Sequence, residues 1–339
     1  MINVMNASIK AISYYLPEGE LTNEDINRDF PEWSIEKIAD KTGIYTRHIA
    51  AENVCSSDLG IESAKKLFEE HNIDKNEIDF ILFCTQSPDY FFPTSACIIQ
   101  EKLGLLTTTG ALDFNLGCSG FVYGLGLAKG LVESGVAKNL LLITAETYSK
   151  LMHPKDKSVR TLIGDGSACT LISNSDNGRI GPFILGTDGS GAEKIILRAG
   201  AFRLPKTEET GLDEIDEFGN ITNKNSMYMN GADVFNFTLK TIPVVVNNLY
   251  EKSGLSEDQI DLYIFHQANK YMLDAIRKKL KIPEEKFFIF MSDCGNTVSS
   301  TIPIALYNAI KEGKAGPGSK IMVVGFGVGL SWGAGIINL

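Results

Sequence analysis

The sequence lacks an excess of basic charge: Lys and Arg total 32 against 42 Asp and Glu, for a net charge of -10. So acidic a chain offers no broad surface to a polyanion, which excludes a general nucleic-acid binder and leaves room only for a local basic patch. It also lacks paired cysteines. The six, at 55, 84, 97, 118, 169 and 294, show no Cys-x-x-Cys spacing, so free reduced thiols are expected rather than a disulfide framework or a zinc site. No run of about 18 uninterrupted apolar residues occurs, which removes a helical membrane span. The stretch MINVMNASIKAISYYLP has no basic head followed by a long apolar run, so no secretory signal is predicted and a cytoplasmic location is expected.

What is present is 339 residues of globular composition, 44% hydrophobic and 22% charged, enough for one large domain or two ordinary ones. Strand-like runs alternate with helix-length segments: FILFCT (80–85), ALDF (111–114), NLLLIT (139–144), LYIF (262–265), FFIF (287–290) and KIMVVG (320–325). That alternation predicts an α/β architecture. In ADVFNFTLKTIPVVVNNLYEKSG, Phe235, Leu239, Ile242, Val246 and Leu249 recur at helical spacing, with a kink expected at Pro243, which lacks a backbone donor.

The chain also repeats itself. NEIDFILFCTQSP at 76–88 reads like DQIDLYIFHQANK at 258–270, and LLLI at 140–143 is echoed by IMVV at 321–324, both at offsets near 180 residues. The simplest account is a duplicated α/β unit with halves 1–174 and 175–339, packed as one body because no linker separates them; chance likeness of generic strands is the plainer alternative. The polar, acidic and glycine-punctuated stretch 201–225 reads as a surface excursion or lid.

Within FNLGCSGFVYGLGLAKG (114–130), Asn115 to Gly117 makes a turn after a strand, and the segment that follows has helix length. Cys118 therefore sits near a helix N-terminus, where the dipole and free N–H groups favour a thiolate. Gly120, Gly124, Gly126 and Ala128 allow that helix to pass close to another backbone. A buried structural thiol is the commoner case for an isolated cysteine. A nucleophile needs a partner, and only four histidines exist. His48, His71 and His153 fall in polar surroundings and read as solvated, whereas His266 follows directly on the strand LYIF, at the carboxyl end where α/β sheets place ligands. The stretch MSDCGNTVSSTIPIAL, which carries Asn296 in a glycine turn, holds the place in the second half that the Cys118 stretch holds in the first; taken alone, its Gly-Asn pair marks only a turn.

In combination the residues resemble the thiolase-fold condensing enzymes and, among them, the β-ketoacyl-acyl-carrier-protein synthase III family. The resemblance runs from about residue 8 to the end and rests on KTGIYTRHIA (41–50), FFPTSACIIQEKLG (91–104), GCSGFVYGL (117–125), GDGSACTLI (164–172), FHQAN (265–269), GNTVSSTIP (295–303) and GFGVGLSWGAG (325–335). It implies a thiolase-like five-layer α-β-α-β-α fold from two duplicated halves and a Cys118, His266, Asn296 active site. By the same resemblance the enzyme transfers acyl from acyl-CoA to Cys118, then condenses it with malonyl-acyl carrier protein in fatty acid synthesis, with loss of carbon dioxide. His266 as neutral imidazole and the Asn296 amide would donate to the malonyl thioester oxygen, and the backbone N–H groups of Cys118 and Val328 would hold the oxyanion. No permanently bound cofactor is implied, and no metal.

The resemblance further implies that Lys41, Lys157 and Trp33 meet CoA, the two lysines standing where the family has arginines. A lysine lacks the planar fork that stacks on a base and grips phosphate bidentately. Arg277, Lys278 and Lys279 match the acyl-carrier-protein patch, and Phe92 would cap the acyl tunnel of the partner in a homodimer. Val328 replaces a glycine usual in the family, and a branched residue is confined to negative φ except at a cost. A specialised acyltransferase of secondary metabolism or surface-glycan synthesis, forming an ester or amide on the same fold, is the second expectation.

Overall fold

The strand-like runs pair into two sheets of the same construction. The computed structural model describes residues 6–175, 178–216 and 219–339. The first sheet joins β1 (Ala7–Tyr15), β2 (Phe80–Cys84), β3 (Gly110–Phe114), β4 (Asn139–Glu146) and β5 (Gly166–Asn174), in the order β1-β5-β4-β2-β3. The second joins β6 (Arg179–Thr187), β7 (Leu262–Phe265), β8 (Lys320–Gly327) and β9 (Ser331–Asn338), in the order β6-β9-β8-β7. Both sheets run antiparallel, antiparallel, then parallel from the β1 or β6 edge, and the first adds one more parallel strand, β3.

The missing fifth strand of the second sheet is FFIF. Residues 287–290 lie where the matching strand belongs, yet only a parallel bridge from Tyr263 to Phe287 forms. The cause is a buried side chain. Gln267 Nε2 donates to the Phe265 carbonyl at 2.6 Å and more weakly to that of Phe288 at 3.4 Å, while the Phe290 N–H donates to Gln267 Oε1 at 2.8 Å. One carboxamide thus satisfies groups that a ladder would have paired.

Alternation along the strands builds the layers, because successive side chains leave opposite faces of a sheet. Ile81, Phe83, Leu141 and Ile143 point outward against α1 (Ser56–His71) and α2 (Ser95–Leu103). Their neighbours Leu82, Leu140 and Leu142 point inward onto α3 (Gly120–Glu133). Tyr263, Phe265, Met322 and Val324 lie beneath α4 (Gly231–Ser253) and α5 (Lys270–Leu280), while Ile264, Ile321 and Val323 turn inward with α6 (Thr301–Lys311). Five layers result, α-β-α-β-α, with α3 and α6 in the middle. Each fully buried Leu, Ile or Phe contributes about 1.5–3 kcal/mol of transfer free energy.

The central helix needs two of its glycines. A Cβ on Gly120 would lie 2.4 Å from Cys84 Sγ, and one on Gly124 would lie 2.6 Å from Leu142 Cδ1, whereas a Cβ on Gly126 would meet nothing closer than 3.9 Å. Helix α4 runs unbroken through Pro243. The acidic segment forms a surface excursion carrying a small hairpin, Glu214–Ile215 with Ile221–Thr222; its residues 217 and 218 lie outside the described ones. His153 differs from its expected solvation: it is 8% exposed and reaches Asp213 of that excursion at 3.1 Å. Among the described residues, no helix is long and apolar enough to cross a membrane, and no cluster of His, Cys, Asp and Glu fits a metal ion.

Candidate active site

Cys118 ends the turn between β3 and α3, with Ser119 as the N-cap of the helix. The end of β8 lies against it. A Cβ on Gly325 would stand 2.8 Å from the Cys118 carbonyl oxygen, and one on Gly327 would stand 2.8 Å from Sγ, so only glycine lets the strand come this near. Cys118 is partly buried at the cavity wall, and burial, outweighing the lowering influence of the nearby Val328 N–H, pushes the thiol up to about 12. The expected helix-dipole activation is therefore outweighed by desolvation, and the resting sulfur at neutral pH is a thiol. Val328 itself stays out of the left-handed region that its replacement of a glycine put in question; Gly329, at φ 134°, takes the turn.

His266 follows β7 and is 2% exposed. Its Nδ1 lies 2.8 Å from Thr301 Oγ1, whose single hydroxyl proton serves either Nδ1 or the Val298 carbonyl at 3.0 Å according to the tautomer of the ring, and the ring meets Phe326 edge-on at 5.6 Å. Burial holds its pKa down to about 3, so the imidazole is neutral throughout the physiological range. Asn296 is held on both sides. Its backbone N–H donates to Leu162 and its carbonyl accepts from Gly164, while Oδ1 accepts the Val298 N–H at 2.9 Å, which assigns Nδ2 as the donor, at 3.4 Å from the Ala268 carbonyl. Val298 supplies these contacts from φ 54°, a left-handed conformation that a β-branched residue adopts only under strain.

Cys118, His266, Asn296 and Val328 line one cavity of about 430 Å³, and Trp33 and Lys41 stand at its wall. The ammonium groups of Lys37 and Lys41 lie 5.3 and 5.5 Å from the Trp33 ring centroid. Lys157 is not part of the lining, although its neighbour Ser158 is; it pairs with Glu32 at 3.2 Å. Phe92 is elsewhere, 84% exposed beside exposed Tyr90 and Phe91, and Phe91 packs on Phe202 of the acidic excursion at 5.7 Å between centroids. Arg277 is half-buried and bonded to the Ile282 carbonyl and Glu284, while Lys278 and Lys279 are exposed.

Three supporting groups escaped the reading of the sequence. Glu146, fully buried at the end of β4, accepts from Gln86 N, Thr85 Oγ1 and Ser87 Oγ in the first half and from Ser299 Oγ in the second. Burial outweighs these hydrogen bonds and raises its pKa to about 8. Ser331 donates to the Val328 carbonyl at 2.7 Å, so the 2.7 Å contact between the two hydroxyls leaves Ser119 donating to Ser331. Thr301 is the third, through its contact with His266. Hydroxyls 212 residues apart leave no local sequence signal, but an acidic residue in the apolar run NLLLITAE was a visible anomaly.

The fold agrees with what the chain is similar to. Two family profiles match: 3-oxoacyl-[acyl-carrier-protein (ACP)] synthase III over residues 112–189 and its C-terminal counterpart over residues 250–339. A protein from Caldanaerobacter subterraneus subsp. tengcongensis described as β-ketoacyl-[acyl-carrier-protein] synthase III is 36% identical, covering 100% of this chain and 99% of that one. One from Clostridium perfringens with the same description is 37% identical over 98% of this chain and 99% of its own. A crystal structure of a 3-oxoacyl-(acyl-carrier-protein) synthase III superposes with a TM-score of 0.97 at 49% identity, covering 98% of this chain and 100% of that one. By fold and by full-length similarity, the chain belongs to the β-ketoacyl-acyl-carrier-protein synthase III family of condensing enzymes.

Proposed function

We propose that the enzyme moves an acyl group from acyl-CoA onto Cys118 and then joins it to malonyl-acyl carrier protein by decarboxylating Claisen condensation, in fatty acid synthesis. The observation that carries this reading is a single cavity holding a thiol, a neutral imidazole and a carboxamide. In the first half-reaction the Cys118 sulfur attacks the thioester carbonyl, the oxyanion is held by the N–H groups of Cys118 and Val328, and CoA departs as the thiol with the proton that Cys118 gives up. In the second, the malonyl carboxylate leaves as carbon dioxide, and the charge arriving on the thioester oxygen meets the Asn296 amide and the Nε2–H of His266, in the tautomer where Thr301 donates to Nδ1. The carbanion attacks the acyl-Cys118 carbonyl, and collapse returns the sulfur as thiolate, which takes a proton. No bound cofactor enters either step.

Trp33, Lys41 and Lys157 form the CoA side of this reading, and Lys278, Lys279 and the partly engaged Arg277 the carrier-protein side. The exposed Tyr90, Phe91 and Phe92, with Leu112 of the edge strand β3 at 46% exposure, support a homodimer in which Phe92 reaches the partner's cavity. The matching order of strand directions supports 1–174 and 175–339 as the duplicated units. Intact-protein mass after incubation with acyl-CoAs from acetyl to decanoyl, beside a Cys118→Ala control, tests the first step. An adduct lost in the control is the expected result; no carbon dioxide from malonyl thioester with any primer overturns the second step.

A further inference from the structure

The chain between the helices Asn23–Asp29 and Ile35–Thr42 crosses to the short helix Lys157–Arg160, whose Ser158 lines the cavity. Two ion pairs fasten it there: Lys157 with Glu32 at 3.2 Å and Arg160 with Asp29 at 2.9 Å. The cations are the sheltered partners, with side chains 17% and 15% exposed, while Glu32 and Asp29 are 56% and 51% exposed. The guanidinium of Arg160 lies 5.5 Å from the Phe30 ring, and Asn27 Nδ2 donates to the Trp33 carbonyl at 2.9 Å, so the strap also carries the tryptophan that lines the cavity. The short helix is held from below, its Asp156 cap accepting from Ser158 N and Oγ, and its Ser158 and Thr161 face the cavity.

Two sheltered cations flanking the cavity-lining Ser158 and Thr161, each paired with a carboxylate that is about half exposed, form an ion-exchange contact. We propose that Glu32 and Asp29 are resident counter-ions of a phosphate subsite, which the phosphates of a nucleotide-bearing thioester must displace from Lys157 and Arg160 before Trp33 can stack on its base. This rests on the reading that acyl-CoA is the acyl donor. The two acidic side chains then set how strongly the enzyme favours donors without a nucleotide, because such donors need no exchange. Exposed pairs of this kind are weak, so removing each competitor should change ligand affinity by about two- to fivefold.

The test measures cysteine acylation kinetics for acetyl-CoA and acetyl-pantetheine with the wild type, Glu32→Gln, Asp29→Asn and the double variant. A separate titration follows binding of adenosine 3′,5′-bisphosphate by Trp33 fluorescence. The expected result is a KM for acetyl-CoA lowered about two- to fivefold per substitution with kcat unchanged, no change for acetyl-pantetheine, and the same gain in nucleotide affinity. In a Lys157→Met background, Glu32→Gln should then have no effect. Unchanged or weakened nucleotide binding in both single variants overturns the proposal. If no acyl-CoA acylates even the wild type, the acyl-donor reading fails and the nucleotide titration alone decides the subsite.

Discussion

The corner that leads from β3 into α3 and the corner that leads into α6 share one construction and serve opposite ends of the chemistry. Their N-caps, Ser119 and Ser300, have the same backbone angles, φ -86° and ψ -7°. One residue earlier stand Cys118, which lines the cavity, and Ser299, which is turned away to donate to Glu146 at 3.2 Å. The turn before each cap also holds an asparagine at the matching place. Asn115 is exposed and bonded to Gln86, while Asn296 is 7% exposed and faces the cavity. The strand ends before them match as well: Cys84 Sγ sits where a Cβ on Gly120 would be, and His266 reaches Thr301, the counterpart of that glycine. In the proposed mechanism a duplicated corner thus supplies a nucleophile from one copy and amide and imidazole donors from the other, with the unused member of each pair given to structural contacts.

The largest expected effect removes the asymmetry at the first corner. Cys118→Ala should abolish acylation, a loss of about 10³-fold or more in turnover, and intact mass should show no adduct. Adding Ser299→Cys to that variant restores a thiol at the equivalent backbone position. It should remain unacylated, because that side chain points at Glu146 and not into the cavity. An adduct on the thiol introduced at position 299 would show that backbone equivalence, not orientation, decides which corner reacts.

The second corner is tested by separating the half-reactions. Asn296→Ala and His266→Ala should each slow carbon dioxide release from malonyl thioester by about 10²–10³-fold while leaving acyl-Cys118 able to form. With its pKa held at about 3, His266 stays neutral down to mildly acidic solution, so the decarboxylation rate should show no inflection near pH 6.5. In the unfolded chain the same ring protonates near pH 6.5, so its share of stability is present above that value and is lost as pH falls toward 3.

How much of this was legible in the sequence follows the range of the interactions. Short apolar runs marked β2, β3, β4, β7 and β8, and the offset near 180 residues exposed the repeat, because both are local patterns. FFIF has the composition of a strand and fails to become one because Gln267, 21 residues before Phe288, takes its partners. The dipole argument for Cys118 was sound as local physics and lost to burial, a property of the whole fold. His153 looked solvated because its partner Asp213 lies 60 residues on. The ion pairs of Lys157 and Arg160 were invisible for the same reason, since Lys157 and Glu32 are 125 residues apart.

Glu146 joins the two corners and makes a pH-dependent prediction. Its carboxyl is raised to about 8 in the fold against about 4.5 when unfolded, so the folded state binds the extra proton. The contribution is present below pH 4.5 and is lost as pH rises through 8, on the order of a few kcal/mol across that interval. Glu146→Gln keeps the shape and removes the titration. Thermal unfolding of the variant should vary less between pH 5 and 8 than that of the parent, and an equal slope in both would place the titrating group elsewhere.

The smallest effect concerns the first corner's link to the second half. Ser119 donates to Ser331, whose own hydroxyl holds the Val328 carbonyl, so one chain of two hydrogen bonds ties the residue after the nucleophile to the turn that presents the Val328 N–H. Its counterpart Ser300 bonds instead to Thr144 in the core. Ser119→Ala leaves Ser331 with an unfilled acceptor and the turn freer, a change of about 1 kcal/mol or roughly fivefold in rate. In the proposed mechanism the Val328 N–H holds the oxyanion at Cys118, so the loss should fall on the acylation step, and the malonyl decarboxylation rate of pre-acylated enzyme should stay near that of the parent. Ser300→Ala, which breaks the equivalent position, should lower the unfolding temperature instead and spare the acylation rate. If both variants lose stability and neither loses rate, the two caps are alike after all, and the asymmetry of the corners resides in Cys118 and Asn296 alone.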